Sequence, residues 1–347
     1  MAEQPAPGIE IRNLYKLFGK RAEQYVQAVQ RGMGKAELLS QHGLVLGLRD
    51  INLSMPGGSI QVIMGLSGSG KSTLIRHINR LIEPTAGQVL VDGTDVMQMR
   101  KPALQDFRRH RTAMVFQKFA LLPHRTVMQN VVYGLQIQGV EQKRQRDAAG
   151  FWIARVGLAG FEGHYPNQLS GGMQQRVGLA RALANDAPIL LMDEAYSALD
   201  PLIRVDMQSV LLDLQREIRK TIVFITHDLD EALRLGERIA ILRDGLVVQQ
   251  GTRQDILLRP ADEYVTRFVQ EVNRGRFLTV AAVMAPLNGR EPAGPQASTN
   301  TTLEEAAQLL AQSDANQLCV TDAAGQPAGL LDMRQIVAAM APPQAKH

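Results

Sequence analysis

The stretch Ile60-Gln61-Val62-Ile63-Met64-Gly65-Leu66-Ser67-Gly68-Ser69-Gly70-Lys71-Ser72-Thr73 decides the fold. Its first five residues form a short apolar run ending at a glycine, the pattern of a buried parallel strand. The eight residues from Gly65 to Ser72 fit G-x-x-x-x-G-K-[ST], a loop that cradles phosphate. Glycine is required because main-chain N–H groups must approach phosphate oxygens without a Cβ in the way. Lys71 is placed to neutralise β- and γ-phosphates, and Ser72 to ligate Mg²⁺ through its hydroxyl. A helix from Ser72 to Ile82 is expected next, its end marked by Glu83-Pro84. Gly65, Ser67, Gly68, Ser69, Gly70, Lys71, Ser72 and Thr73 are the candidate phosphate-contacting residues.

A second anion site is written a hundred residues on. Leu169-Ser170-Gly171-Gly172-Met173-Gln174-Gln175-Arg176 sets a hydroxyl and two bare glycine amides before a strong helix former, Met173 to Ala184. Unpaired N–H groups at a helix start, backed by the positive end of the dipole, attract anions. One chain then has two phosphate sites but one nucleotide-sized loop. The mismatch resolves if two chains meet head to tail, each lending Ser170, Gly171 and Gly172 to the other's nucleotide.

Two further apolar strands, Ile189 to Met192 and Ile222 to Ile225, end in chemistry-bearing residues. Asp193 suits a Mg²⁺ shell and Glu194 suits a base that polarises attacking water. The structural alternative is that both acids cap neighbouring loops. His227 follows its strand at the carboxyl edge, where ligands bind in such sheets, and is a candidate hydrogen-bond partner of a γ-phosphate. Gln117, in Val115-Phe116-Gln117, is by itself a polar loop residue; only this context makes it a Mg²⁺ or water contact.

Composition bounds the rest. The chain has 347 residues, 45% hydrophobic and 21% charged, ordinary for a globular protein of roughly two domains. No apolar run reaches the length of a membrane span. The start, Met1-Ala2-Glu3-Gln4-Pro5, has neither the basic nor the apolar part of a secretory signal. One cysteine, Cys319, excludes an internal disulfide and suits a reducing cytosol. Net charge is +4. The basic clusters at 100–101, 108–111 and 143–146 read as solvated helix faces, with anionic lipid or nucleic acid as the alternative.

Strands alternating with helices argue for an α/β fold with a parallel sheet. Residues 8–19 read as a first strand, and 20–46 as an inserted helical hairpin. Strand character returns from Val45 to Met55, and about 98–186 reads as a helical subdomain. The style changes near 272. Pro286 to Asn300 is linker-like, with Pro286, Pro292, Pro295, Gly289 and Gly294. A small unit follows. Thr302 and Glu305 form a capping box for a helix over 303–313. Short strands are expected at Gln317 to Thr321 and Ala328 to Leu331, then a helix from Met333.

The order of these motifs, with Ser197-Ala198-Leu199-Asp200 between Glu194 and His227, resembles the ATP-binding subunit of ABC transporters over about residues 8–270. The resemblance implies a P-loop ATPase that binds ATP and Mg²⁺ and works as a homodimer with two composite sites. It implies that Gln117 couples nucleotide state to a membrane partner. Ser170 and Gly172 would contact the γ-phosphate held by the other protomer, and Asp200 would lie at the dimer seam. Phe18 stands where the family stacks an aromatic on adenine, with Tyr15 the competitor. The insert, the phrase IMGLSGSGKSTLIRHINRLIEPTAGQVLVDG and PILLMDEAYSALDPLIR are similar to the glycine betaine/proline/choline uptake family.

That resemblance implies integral membrane permease subunits, indirectly a solute-binding protein, no nucleic acid, and a peripheral place on the cytoplasmic face of the plasma membrane. The expected domains are 1–272, the ATPase, and 273–347, a linker with a single CBS-like βαββα unit. CBS units often close an adenosine site with Ser or Thr followed three residues later by Asp; here Asp332 is followed by Gln335. Two rival readings are a soluble ABC ATPase acting on nucleic acid or ribosomes and a non-transport regulator. The first needs coiled coils or a second phosphate loop, which this chain lacks. Glu194 argues against the second, since a sensor needs no catalytic acid.

Overall fold

The computed structural model describes residues 6–117, 119–197, 199–288, 291–313 and 315–341. The described strands are β1 (Ile9–Phe18), β2 (Val45–Met55), β3 (Ile60–Met64), β4 (Ala86–Val91), β5 (Thr94–Asp95), β6 (Thr112–Val115), β7 (Ile189–Asp193), β8 (Thr221–Thr226), β9 (Arg238–Arg243), β10 (Leu246–Gly251), β11 (Gln296–Ser298), β12 (Gln317–Thr321) and β13 (Pro327–Asp332). They make a four-stranded sheet β2-β1-β4-β5, a six-stranded sheet β10-β9-β3-β8-β7-β6 and a three-stranded sheet β11-β12-β13.

The chain divides into two compact units. The first holds residues up to Asp228 and Ala240–Val247; the second holds Leu229–Ile239 and the rest from Val248. The second unit therefore reaches further back than the boundary expected near 272.

In the first unit β3, β7 and β8 are buried at every position. Such strands read as unbroken apolar runs because both faces are covered. β3 pairs with β8, β8 with β7, and β7 with β6, all in parallel. Thr112–Val115 lies inside the stretch read as helical, yet it is a strand of this sheet. Around it are helices Lys101–His110, Val127–Val131, Tyr133–Gln138, Gln142–Arg155 and Gly171–Ala184. The antiparallel sheet packs its Ile9, Ile11, Leu14, Leu48 and Ile51 into one core with Ile63, Leu74, Leu191 and Val223.

The helix after the phosphate loop runs from Lys71 to Ile78 and ends before the expected Ile82. Arg80 adopts a left-handed backbone (φ 52°), which no α-helix continues through. Arg108, reaching from the helix Lys101–His110, donates to the carbonyls of Asn79 and Arg80 and satisfies the freed helix end.

Between β1 and β2 stand the short helices Val26–Gln30 and Lys35–His42. They bury Val26, Val29 and Leu38 against Tyr15, Leu17, Leu44 and Leu46. In the second unit, β11, the helix Leu303–Ala311, β12, β13 and the helix Met333–Met340 follow in the order βαββα. β11–β12 is parallel and β12–β13 antiparallel. Thr302 and Glu305 form the capping box, and Asp332 and Gln335 form another. Among the described residues no helix is long and apolar enough to cross a membrane.

The insert is thus part of a core. Leu38→Ala, at a fully buried position, should lower unfolding free energy by about 2–5 kcal/mol, with lost transfer and a residual cavity combined. Urea unfolding followed by circular dichroism checks this; a loss below about 1 kcal/mol would place the insert outside the cooperative core.

Candidate active site

Parallel strands deliver their carboxyl ends to one edge. Met64 of β3 lies opposite Thr226 of β8, and Asp193 of β7 lies opposite Ile225. Gly65, His227 and Glu194 therefore leave the sheet side by side. Gly65 is forced: at φ 152° a Cβ there would stand 2.3 Å from the Leu242 carbonyl oxygen. Gly70, at φ 103°, opens the helix Lys71–Ile78. An added Cβ on it would lie 2.8 Å from the Gly47 carbonyl oxygen.

Lys71 is buried and its Nζ donates to the carbonyls of Gly65 at 2.8 Å and Leu66 at 3.1 Å. The Glu194 Oε1 stands 3.6 Å away. Burial pushes the ammonium below its usual range, while the Glu194 and Asp193 carboxylates pull it back up. The Ser72 hydroxyl donates to Asp193 Oδ1 at 2.8 Å, and Arg76 Nη2 donates to Asp193 Oδ2 at 3.1 Å. Ser72 and Arg76 are one turn apart on the same helix face, so one carboxylate receives both.

Glu194 follows β7 with a left-handed backbone (φ 47°), and its N–H donates to the Ile225 carbonyl at 3.2 Å. This bond extends the β7–β8 ladder by one residue and turns the carboxylate into the site. Its Oε2 accepts from Gln117 Nε2 at 3.0 Å and lies 3.7 Å from His227 Nδ1. Glu194 thus meets an ammonium, an amide and an imidazole at once, a polar setting in which a water can be held and polarised.

An open cavity of about 380 Å³ fronts these groups. Phe18, Lys35, Gly47, Ser67, Gly68, Gly70, Lys71, Ser72, Thr73, Gln117 and Glu194 line it. Ser69 is buried beneath the loop. Phe18 is half-exposed at the cavity wall, with Lys16 Nζ 5.0 Å from its ring centre, whereas Tyr15 is buried in the insert core. Phe18 is therefore the aromatic with a free face.

The chemistry of the donors fits Mg²⁺. Among the described residues no group of three His, Cys, Asp or Glu side chains forms a metal cage. A serine hydroxyl beside a single carboxylate, with phosphates completing the shell, is how Mg²⁺ is commonly held.

Ser170, Gly171 and Gly172 do not line this cavity. They begin the helix Gly171–Ala184, where the Ser170 hydroxyl accepts from the Met173 N–H at 3.3 Å. A Cβ on Gly172 would meet Ile203 at 3.3 Å and Leu199 at 3.7 Å. Asp200, exposed, caps the next helix, Pro201–Ile218, through Ile203 N–H at 3.1 Å. Gly172 and the start of the helix that Asp200 caps are neighbours. Ala198 lies outside the described residues.

Sequence reasoning passed over Arg76, Lys35 and Gly47. Arg76 had a readable signal, its i,i+4 spacing from Ser72. Lys35 and Gly47 had none, because only the packing of the insert beside the loop brings them there.

Strand, phosphate loop, helix, acid-ended strand and adjacent histidine define a nucleotide-binding P-loop ATPase. Comparison with known proteins agrees. Residues 48–197 match the family model for ABC transporters. The chain is 54% identical over 276 residues to the glycine betaine transport ATP-binding protein OpuAA of Bacillus subtilis, covering 80% of this chain and 66% of that one. It is 44% identical over 327 residues to the trimethylamine N-oxide transport ATP-binding protein TmoW of Ruegeria pomeroyi, covering 94% and 95%. Among solved structures it resembles the dimeric cassette MJ0796, a bacterial ABC transporter cassette, with a TM-score of 0.61 and 34% identity over 71% of this chain and 98% of that one. The chain belongs to the family of ATP-binding proteins of ABC transporters.

Behind the loop, His77 is fully buried, with Nδ1 2.6 Å from the Thr73 carbonyl oxygen. Burial lowers its pKa to about 4. The unfolded chain binds this proton near the ordinary value of about 6.5, the folded chain only near 4. Stability should therefore fall as pH drops from about 6.5 to about 4 and stop falling on this account below that. Urea midpoints across that window should be flatter for His77→Gln than for the wild-type chain; parallel profiles would show that His77 titrates normally.

Proposed function

We propose that the chain is the ATPase subunit that energises uptake of a quaternary ammonium compound, such as choline, glycine betaine or proline betaine, through separate membrane subunits. The observation that carries the hydrolytic part is Glu194, held between Lys71, Gln117 and His227 at the edge of the parallel sheet. On this reading the backbone amides of Gly65 to Thr73 and the Lys71 ammonium hold the ATP phosphates. Ser72 and Asp193 hold Mg²⁺, with Gln117 beside them, and Phe18 stacks on adenine. Glu194 orients and polarises the attacking water, and His227 bonds the γ-phosphate. Mg²⁺ supplies charge neutralisation at the phosphates; the chain supplies position and the base.

Lys71 already binds two carbonyls of its own loop and stands against Glu194. Phosphate entering the loop offers that ammonium a stronger partner and frees the Glu194 carboxylate for water. The exposed helix start at Ser170–Gly172, with Asp200 beside it, completes the site of a second copy. Two copies in C2 symmetry then enclose two nucleotides.

The relatives' names speak for the cargo: betaine and trimethylamine N-oxide both carry a trimethylated nitrogen. The permease contact fits a second cavity of about 380 Å³, lined by Phe116, Ala120, Leu122 and Arg181 among others, next to the Gln117 loop. The subunit then sits peripherally on the cytoplasmic face of the membrane. Residues 1–272 serve as the ATPase, and 273–347 as linker and a CBS-like unit with a supporting role. Its Asp332 and Gln335 are both engaged in capping a helix, a structural use that supports this role. The rival readings, an ATPase on nucleic acid or ribosomes and a pure regulator, draw no support from these relatives.

Glu194→Gln should leave ATP binding within about threefold and cut turnover by about 10²–10⁴-fold, the usual worth of a general base. Near-normal turnover would remove Glu194 from the mechanism. Sharing in trans is tested by mixing Lys71→Ala chains with Gly172→Asp chains. A mixed dimer then has one site with both lesions and one with neither, so part of the hydrolysis should return; mixed dimers that form and stay inactive would overturn the shared site.

A further inference from the structure

Two consecutive residues after the Gln117 turn, Phe119 and Ala120, hold left-handed backbones, φ 53° and 47°. Neither is glycine, so the chain meets steric cost at both. Something must hold the segment there. Arg181, half-buried on the helix Gly171–Ala184, supplies it. Its Nη1 donates to the Ala120 carbonyl at 2.7 Å and its Nη2 to the Phe119 carbonyl at 3.1 Å. A guanidinium presents such a fork in fixed geometry; an ammonium does not.

The same helix makes room for the segment. A Cβ on Gly178 would lie 3.7 Å from the Phe119 carbonyl oxygen, and one on Gly171 would lie 4.0 Å from the Phe119 ring. The Phe119 side chain therefore reaches back toward the first turn of the helix, where Ser170 and Gly172 stand. At its other end the segment continues from Gln117, whose amide is bonded to Glu194.

We propose that Arg181 is a positioning residue that latches the Phe119–Ala120 segment to the helix bearing Ser170–Gly172, so that the Glu194–Gln117 pair and the motif serving the partner's nucleotide move as one body. The proposal rests on the ATPase reading and adds a link within each protomer between its own γ-phosphate and the half-site it lends. Without the latch the loop relaxes out of the left-handed region. The chain still binds ATP at Lys71, but the lent half-site no longer closes in step.

The test uses the full chain in a Glu194→Gln background, where bound ATP persists. ATP affinity is read by equilibrium dialysis, dimerisation by gel filtration, and folding by thermal melting. Arg181→Lys and Arg181→Gln should leave the ATP Kd within about threefold. They should weaken ATP-dependent dimerisation by about tenfold, for the loss of two charge-assisted hydrogen bonds. Adding Ala120→Gly should restore much of that loss, because glycine takes φ > 0 without the Cβ penalty. A general structural role would instead lower melting temperature and ATP affinity together, with no rescue by Ala120→Gly; that result overturns the latch. Unchanged dimerisation in both Arg181 variants also overturns it. A parent chain that binds no ATP would fail the ATPase reading itself, a result distinct from either.

Discussion

The parallel register of β3, β8 and β7 is the constraint on which the site depends. It aligns Met64 with Thr226 and Asp193 with Ile225. The residues that follow these ends, Gly65, His227 and Glu194, are then forced together although the chain visits them far apart. Parallel pairing does this because all carboxyl ends leave by one edge, where open α/β sheets bind ligands. A one-residue slip in β7 would turn Asp193 and Glu194 over and separate the acid that faces Ser72 from the acid that faces Lys71. The apolar, fully buried strands make such a slip costly.

Around that edge the charges are mutually compensated. Lys71 is buried yet meets two carbonyls and a carboxylate. Asp193 is buried yet receives a hydroxyl and a guanidinium. A buried charge without such partners would cost several kcal/mol. Neither charge is left bare: each is met by protein groups of the opposite sense. Arg76 belongs to this scheme: it neutralises the Asp193 carboxylate that Ser72 also bonds.

The left-handed residues show where the fold gives up backbone comfort for position. Glu194 does so to aim its carboxylate across the strand ends, and Phe119 and Ala120 do so where the loop after Gln117 meets the helix Gly171–Ala184. Non-glycine residues hold such conformations only where neighbours over-determine them. Here a β7–β8 ladder bond and the Arg181 fork are those neighbours. Function and strain coincide because both need a side chain aimed in a direction regular structure does not offer.

The sequence by itself determined the strand–loop–helix around Lys71, the two acids at the end of β7, and a helix after Ser170, expected from Met173 and begun at Gly171. It also determined the αββα order from Thr302 onward; the first strand of the tail, β11, lies within Pro286–Asn300, which reads as linker because three residues between prolines and glycines show no period. Each rests on contacts within a few residues: glycines that admit phosphate, apolar runs that demand burial, hydroxyls and carboxylates that cap. The helix expected to reach Ile82 stopped at Ile78 because Arg80 turns left-handed, and Arg108, distant in sequence, bonds the carbonyls of that turn. β6 hid within a charged helical stretch because four residues are too few to show a period. Only the tertiary structure decided that Phe18 and not Tyr15 faces the cavity, that Arg76 meets Asp193, and that Arg181 holds the loop after Gln117. Hydrogen bonds such as Ser72 to Asp193 join residues 121 apart. No local pattern encodes such a partner; it is chosen by the packing of whole strands and helices, after which hydrogen bonding selects the groups brought within reach.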